Sequence, residues 1–180
     1  MTHPILQKLA VGTPGVVGAS AEVAREIEGD PELFAVVMDG LGAEDVGIRN
    51  RAANALDRAT RRDATLLQPH ADALLECARA NLEGATLRRL LPLLLGRLPL
   101  GLEDARRVVA YCRPRSERGL VATRSNALDA LASMAALHPE IEAEILPVLE
   151  AALDDPGVSH RARARLVLER LDRQTQNRRR

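Results

Sequence analysis

The sequence predicts an all-α protein built from repeated pairs of helices. Leucine and alanine, which favour helices, supply 58 of the 180 residues. The residues that favour strands are far fewer, since the chain has 13 valines, five isoleucines, one Phe, one Tyr and no Trp. A short motif with arginine in its second position also recurs four times along the chain. These observations exclude a β-rich fold.

The first 30 residues predict an N-terminal capping segment with one amphipathic helix. The apolar side of this helix is formed by Val16, Val17, Ala21, Val23, Ala24 and Ile27. It follows a loop at residues 12–15, which contains two glycines and a proline. This loop lacks the Gly-Lys-Ser/Thr ending of a phosphate-binding loop and follows no predicted strand, so we do not expect a nucleotide site.

The repeated motif predicts four helix pairs between residues 31 and 173. Its arginines are Arg49, Arg88, Arg124 and Arg161, at intervals of 39, 36 and 37 residues. In the segment around Arg49, one helical face is formed by Ile48, Ala52, Ala55, Leu56 and Ala59. The pairs are expected at residues 31–62, 63–98, 99–137 and 138–173, and a frayed basic tail at 174–180. Two-helix units of this size cannot each bury an apolar face alone, so we expect them to stack into a solenoid.

The fourth pair resembles a HEAT repeat. Its first helix contains Pro147, an Asp-Pro turn follows at Asp155 and Pro156, and Arg161 opens the second helix. The resemblance implies a right-handed α-α superhelix, here of about nine helices, in which the turn aspartate pairs with the arginine and helps align adjacent repeats. Asp155 and Arg161 fit that pairing best. The equivalent positions in the other pairs are Ala43, Leu82 and Arg118, so the ladder is expected to be partial.

Several classes of function are not expected from the composition. The 25 basic and 25 acidic residues balance, which gives no sign of a polyanionic partner. Cys77 and Cys112 lie in apolar helical patterns and are predicted to be buried thiols. No signal sequence or membrane-spanning run is predicted, so we expect a cytoplasmic location and no membrane partner. No cofactor, metal site or catalytic constellation is predicted, and the protein is not expected to be an enzyme.

Charge is nevertheless uneven along the chain. Residues 1–45 carry a formal charge of −6 and residues 46–115 carry +6. Either these charges lie on solvated helix faces or they form a surface that steers a partner.

In the HEAT family the arginine-opening helices line the concave surface to which partners bind, which implies a ridge along these helices. On the first of them, Arg51, Asn54, Arg58 and Arg61 share a face away from the apolar stripe. The repeat intervals give the equivalent positions on the three later helices, and these add to the predicted ridge Leu90, Leu93, Arg97, Asn126, Asp129, Ser133, Arg163, Leu166, Arg170 and Arg173. Leu90 and Leu93 belong to a helix that is apolar nearly all round. Either neighbouring helices cover both, or they form an exposed apolar strip.

Two functions are consistent with this ridge. The first is a non-catalytic scaffold or adaptor that binds a protein segment through arginines and leucines. The alternative is a nucleic-acid-associated module whose arginines contact phosphates. Only Phe34 and Tyr111 could stack on bases. Phe34 is expected in the core, which leaves Tyr111 as the candidate for an exposed ring.

Overall fold

The computed structural model describes residues 3–11 and 18–178, and these ranges contain ten α-helices and no strand. The predicted all-α class is therefore confirmed. The predicted loop 12–15, Val16, Val17 and the last two arginines lie outside the described residues. The chain divides into two compact units, Met1–Leu94 and Leu95–Arg180.

The helices of the first unit are α1 (Pro4–Ala10), α2 (Ser20–Ile27), α3 (Pro31–Asp39), α4 (Val46–Ala59), α5 (Ala71–Ala80) and most of α6 (Ala85–Gly96). Those of the second unit are the end of α6, α7 (Leu102–Glu117), α8 (Val121–Leu137), α9 (Glu142–Ala151) and α10 (Val158–Arg178). Short 3-10 helices lie at Gly40–Gly42, Ala64–His70, Pro139–Ile141 and Ala152–Asp154.

Two helices precede α3 among the described residues, so the prediction of a single helix in this part of the chain is wrong. The additional helix is α1. It begins at Pro4, and the ring nitrogen Nδ1 of His3 accepts a hydrogen bond from the Ile5 amide at 3.2 Å. Proline in the first turn and a side-chain acceptor just before it are both typical of a helix start. Ile5 and Leu9 are buried, which attaches this short helix to the unit.

The repeated arginine occupies the fourth position of each of α4, α6, α8 and α10, which begin at residues 46, 85, 121 and 158. Each helix thus starts three residues before its arginine, which is two residues before the repeated motif begins. In α4 the earlier start is explained by Asp45, whose Oδ1 accepts a hydrogen bond from the Ile48 amide at 2.9 Å. Such a cap satisfies an amide that has no partner within the helix.

The core of the first unit forms where α4 packs against α1, α2 and α3. All five residues of the predicted apolar face of α4 are buried, as is Phe34 on α3. The apolar spacing therefore identified the buried side of this helix correctly.

In the second unit α8 packs against both α7 and α10. Gly96 at the end of α6 lies so close to α8 that an added Cβ would be 3.0 Å from the Cα of Ala130. Cys112 on α7 is fully buried, and this burial raises the pKa of its thiol to about 12. Cys77 in the first unit is buried as well, so both thiols lie where the sequence predicts them.

The expected frayed tail is instead helical as far as the structure describes it. Helix α10 continues to Arg178, and the Thr175 hydroxyl donates to Oε2 of Glu142 at 3.4 Å. Within the described ranges, no helix is both long enough and apolar enough to cross a bilayer.

Candidate functional site

Three of the four repeat arginines bind backbone carbonyls in the connection that precedes their own helix. Arg49 Nη1 donates to the carbonyls of Ala43 and Glu44 at 2.5 and 3.0 Å. Arg161 Nη1 makes the same two contacts, with the carbonyls of Asp155 and Pro156 at 2.6 and 2.9 Å. Both arginines thus hold a turn against a helix, and Arg49 Nε also donates to the Glu83 carbonyl before α6 at 2.8 Å.

The same contact is weaker in the second pair and displaced in the third. Arg88 Nε reaches the Leu82 carbonyl at 3.4 Å, and Arg124 Nε reaches the Ser116 carbonyl at 3.4 Å. In the other three pairs the accepting carbonyl stands six residues before the arginine, at Ala43, Leu82 and Asp155. A main-chain acceptor is present whatever the side chain, so the turn contact does not need an aspartate.

The Asp155 carboxylate pairs with Arg124, not with Arg161. Arg124 Nη2 donates to Asp155 Oδ2, and both side chains are largely buried. The expected pairing of Asp155 with Arg161 is therefore wrong for the side chain, because Arg161 takes the Asp155 carbonyl instead. The second carboxylate oxygen accepts the Gly157 amide at 2.8 Å and so shapes the turn.

A cleft of about 220 Å³ opens beside this ion pair. It is lined by Ser116, Glu117, Arg124, Val148, Ala151, Ala152, Asp155 and His160. Arg124 and Asp155 satisfy each other and His160 is 1% exposed, so exposed Glu117 is the charged lining residue that forms no ion pair among the described residues. Its lining comes from α7, α8, α9, the turn before α10 and α10 itself, a combination that no motif in the sequence indicates.

The expectation that Arg51 belongs to an exposed ridge is wrong. Arg51 is 4% exposed, its Nε donates to the Leu9 carbonyl, and its Nη2 donates to the Ala10 carbonyl at 3.1 Å. Gly47 makes room for the guanidinium, since a Cβ there would lie 2.5 Å from Nη2. Arg51 thus satisfies the carbonyls at the end of α1, which would otherwise have no intrahelical donor.

The other three residues predicted for this part of the ridge remain at the surface or close to it. Asn54 is half-buried, and its Oδ1 accepts from Nε of exposed Arg58 at 2.8 Å. Arg61 lies in the turn after the end of α4, and its Nη2 is 2.7 Å from Oδ2 of buried Asp57. These contacts stay within α4 and the turn that follows it.

The predicted leucine strip is not exposed as a pair. Leu90 is 2% exposed and lies in the core, whereas Leu93 and Arg97 are half-buried. The two alternatives for these leucines were burial under neighbouring helices and exposure as an apolar strip, and burial is confirmed for Leu90. The apolar face of α6 therefore does not offer a groove centred on Leu90 and Leu93.

One group of ridge residues does come together, on α8 and α10. Asp129 Oδ2 lies 3.5 Å from Arg163 Nη1, and its Oδ1 lies 3.6 Å from Arg170 Nη2. Burial raises the pKa of Asp129, and the two guanidiniums oppose that effect. The carboxylate is mostly covered, but the arginine side chains keep 44% and 42% of their surfaces exposed.

Leu166 completes this group as an exposed apolar residue. It lies on α10 between the two arginines, at positions 163, 166 and 170, which share one helical face. The side chain of Leu166 is 56% exposed, and Arg173 continues the same face one turn further on. We call Arg163, Leu166, Arg170 and Arg173, together with Asp129, the α10 strip. Asn126 and Ser133, also on the predicted ridge, are half-buried on α8.

Both aromatic residues considered for base stacking are buried. Phe34 is 1% exposed and Tyr111 is 9% exposed, with the Arg115 guanidinium 3.6 Å from the Tyr111 ring centre. The possibility of an exposed Tyr111 ring is thus contradicted. Among the described residues no three His, Cys, Asp or Glu side chains group in a way that could hold a metal ion.

Comparison with protein-family models, with curated proteins and with solved structures finds no match to this chain.

Proposed function

We propose that this protein is a non-catalytic interaction module, a short HEAT-like right-handed solenoid that binds an acidic protein segment on the α10 strip. The solenoid part of the proposal is supported by the recurrence of one arginine at the fourth position of α4, α6, α8 and α10. It is also supported by the parallel course of α8 and α10. Ser125 contacts His160, and Asp129, further along α8, contacts Arg163 and Arg170, further along α10.

The binding part of the proposal rests on the arrangement around Asp129. One covered carboxylate faces two half-exposed guanidiniums, so the cluster keeps a net positive charge. Arg170 Nη2 also donates to the Asp129 carbonyl at 3.4 Å, which holds this arginine against α8. Arginine donates to carboxylates in a bidentate geometry, which gives strong and directional hydrogen bonds. Leu166 between the arginines supplies apolar area, and the strip thus fits a segment that alternates acidic and apolar residues.

The strip favours a protein segment over a nucleic acid. Phosphates would satisfy the arginines equally well, but an exposed leucine adds nothing to phosphate binding. The two described aromatic residues that were candidates for base stacking are buried. Without aromatic anchors, binding depends on Arg and Leu, and we expect dissociation constants on the order of micromolar or weaker.

Fluorescence anisotropy with a labelled peptide that alternates Glu and Leu tests the proposal directly. Replacement of Arg163 and Arg170 by Glu is expected to weaken its binding at least about tenfold, which corresponds to roughly 1.4 kcal/mol. The matched control replaces Arg106 and Arg113 by Glu, since these exposed arginines are also seven residues apart on one helix, α7. Equal loss in both variants would mean that only net charge matters, and the strip would not be the site.

A second peptide and a DNA duplex complete the test. A peptide with Gln in place of Glu is expected to bind weakly, because it offers the guanidiniums no carboxylate beyond that of Asp129. A random duplex that binds more tightly than the acidic peptide, with a steep loss of affinity in salt, would overturn the proposal in favour of phosphate binding.

A further inference from the structure

We infer that the acidic segment bound by the α10 strip comes from a second copy of this chain, and that it is the turn at residues 28–32. This inference rests on the proposed function of the strip. The turn connects α2 to α3 and has the sequence Glu-Gly-Asp-Pro-Glu. It places three carboxylates within five residues, with no basic residue among them.

The charged groups of the turn are accessible. Glu28, Pro31 and Glu32 are exposed. Asp30 is half-buried, and its Oδ1 caps α3 by accepting the amides of Glu32 and Leu33, each at 3.0 Å. Neither Glu28 nor Glu32 forms an ion pair within the described part of the chain. Their charges are therefore directed to solvent or to a partner.

Other acidic residues nearby are already engaged. Glu22 and Glu26 on α2 share Lys8, whose Nζ lies 3.1 and 2.7 Å from their carboxylates. A comparable run of three glutamates stands at residues 140–144, but Glu142 accepts the Thr175 hydroxyl of α10 within the same unit. The turn at 28–32 is thus an acidic segment whose exposed carboxylates, Glu28 and Glu32, form no ion pair among the described residues.

The turn and the strip each place an apolar side chain between two charged ones. Exposed Pro31 lies between Glu28 and Glu32 in the sequence, and exposed Leu166 lies between Arg163 and Arg170. The turn is bent, because Glu28 keeps helical backbone angles after α2 and because Pro31 and Glu32 begin α3. The two arginines are seven residues apart, which is about 10 Å along a helix axis.

The two units carry opposite net charges, which favours contact between the first unit of one molecule and the second unit of another. Residues 1–94 contain 10 basic and 13 acidic residues, a formal charge of −3. Residues 95–180 contain 15 basic and 12 acidic residues, a formal charge of +3. A contact between two different surfaces is heterologous, so it permits dimers or longer assemblies. Because its charges are exposed, the association is expected to be weak and sensitive to salt.

Sedimentation velocity over a concentration series is the primary experiment. In about 0.05 M salt the average sedimentation coefficient is expected to rise with protein concentration, and in about 0.5 M salt this rise is expected to disappear. Replacement of Glu28 and Glu32 by Lys, or of Arg163 and Arg170 by Glu, is expected to abolish the rise. The matched control replaces Glu140 and Glu144 by Lys, and it should associate like the wild type.

A mixture of the two charge-reversed proteins provides the decisive arm. Each variant alone has a turn and a strip of like charge and should stay monomeric. In the mixture, the strip of one faces the turn of the other with opposite charges, so association should return. If reversal at residues 28 and 32 perturbs folding, as judged by circular dichroism, the Glu28→Gln and Glu32→Gln variant takes its place and should also weaken association.

The possible failures separate this inference from the proposed function. The wild-type protein could stay monomeric at all concentrations in low salt and still bind the Glu-Leu peptide through Arg163 and Arg170. This outcome overturns only the inference that the partner is a second copy. So does association that persists after reversal at residues 28 and 32. If that reversal abolishes association while reversal at Arg163 and Arg170 leaves both peptide binding and association intact, the strip itself is wrongly assigned.

Discussion

Arg124 and Asp155 form an ion pair that joins two successive repeats of the second unit. Arg124 stands in the fourth position of α8, and Asp155 lies in the turn that leads into α10. The side chains are only 14% and 11% exposed, so water does little to screen the pair. The interaction therefore fixes the start of α10 relative to α8 more firmly than a surface ion pair would.

Replacement of Asp155 by Asn is expected to destabilise the protein by about 2–3 kcal/mol, because it leaves the guanidinium of Arg124 covered and unpaired. Urea denaturation measures the change. The control is Arg79→Ala, which removes an ion pair with Glu76 in which both partners are highly exposed, and it should leave the unfolding midpoint nearly unchanged. A double-mutant cycle between Arg124 and Asp155 should give a coupling energy above about 0.5 kcal/mol. Coupling near zero would contradict the pair.

Arg51 and Arg58 belong to the same predicted ridge, yet they are expected to behave differently when mutated. Arg51→Met leaves the carbonyls of Leu9 and Ala10 without their donors and should cost about 2–3 kcal/mol. Arg58→Met alters an exposed side chain and should cost less than about 0.5 kcal/mol. Amide hydrogen exchange should also become faster in Pro4–Ala10 after the Arg51 change alone. Equal effects of the two substitutions would show that Arg51 does not hold α1.

The protein is expected to lose stability as the pH falls below about 6.5, the ordinary pKa of histidine. Burial lowers the pKa of His160, the nearby Arg124 lowers it further, and a hydrogen bond to the Ser116 backbone opposes them. Burial likewise lowers the pKa of His70, against the opposing charge of Asp39. The unfolded chain therefore binds these protons first, so stability is complete above pH 6.5 and decreases on acidification.

Urea midpoints measured between about pH 7.5 and 5.5 test this dependence in a range above most carboxylate titrations. Each histidine can change the free energy of unfolding by at most about 1.4 kcal/mol per pH unit. His160→Gln should remove one part of the pH dependence of stability and His70→Gln the other. The stability of the double variant should therefore change little over this pH range. A wild-type midpoint that rises on acidification would contradict the lowered pKa values.

Two glycine-to-alanine changes are expected to shift stability in opposite directions. At Gly96 a Cβ would be 3.0 Å from the Cα and 3.3 Å from the Cβ of Ala130, so alanine should destabilise the protein by about 1–3 kcal/mol despite its helix preference. At Gly29 no atom lies within 4 Å of the added Cβ. Alanine there restricts the unfolded chain and should stabilise by about 0.4–1 kcal/mol. Thermal unfolding measures both, and a stabilising Gly96→Ala would mean that α6 and α8 are less closely packed.

The sequence alone determined the helices and their buried faces, because these depend on short-range spacing. Ile48, Ala52 and Leu56 recur every four residues and are all buried. The four repeat arginines identified the second helix of each pair to within two residues of its start. Helix α1 was missed because its seven residues are too few for a clear periodic pattern.

Only the tertiary structure decided what the long charged side chains bind. Helical periodicity placed Arg51 and Arg58 on one face, but the end of α1 covers the first, and its carbonyl acceptors lie 41 and 42 residues away in the sequence. The carboxylate of Asp155 likewise selects Arg124, 31 residues before it, over the nearby Arg161. An arginine side chain reaches far and accepts many partners, so its contacts depend on which distant backbone lies within reach. That information is carried by the packing of the helices and by no spacing within the sequence.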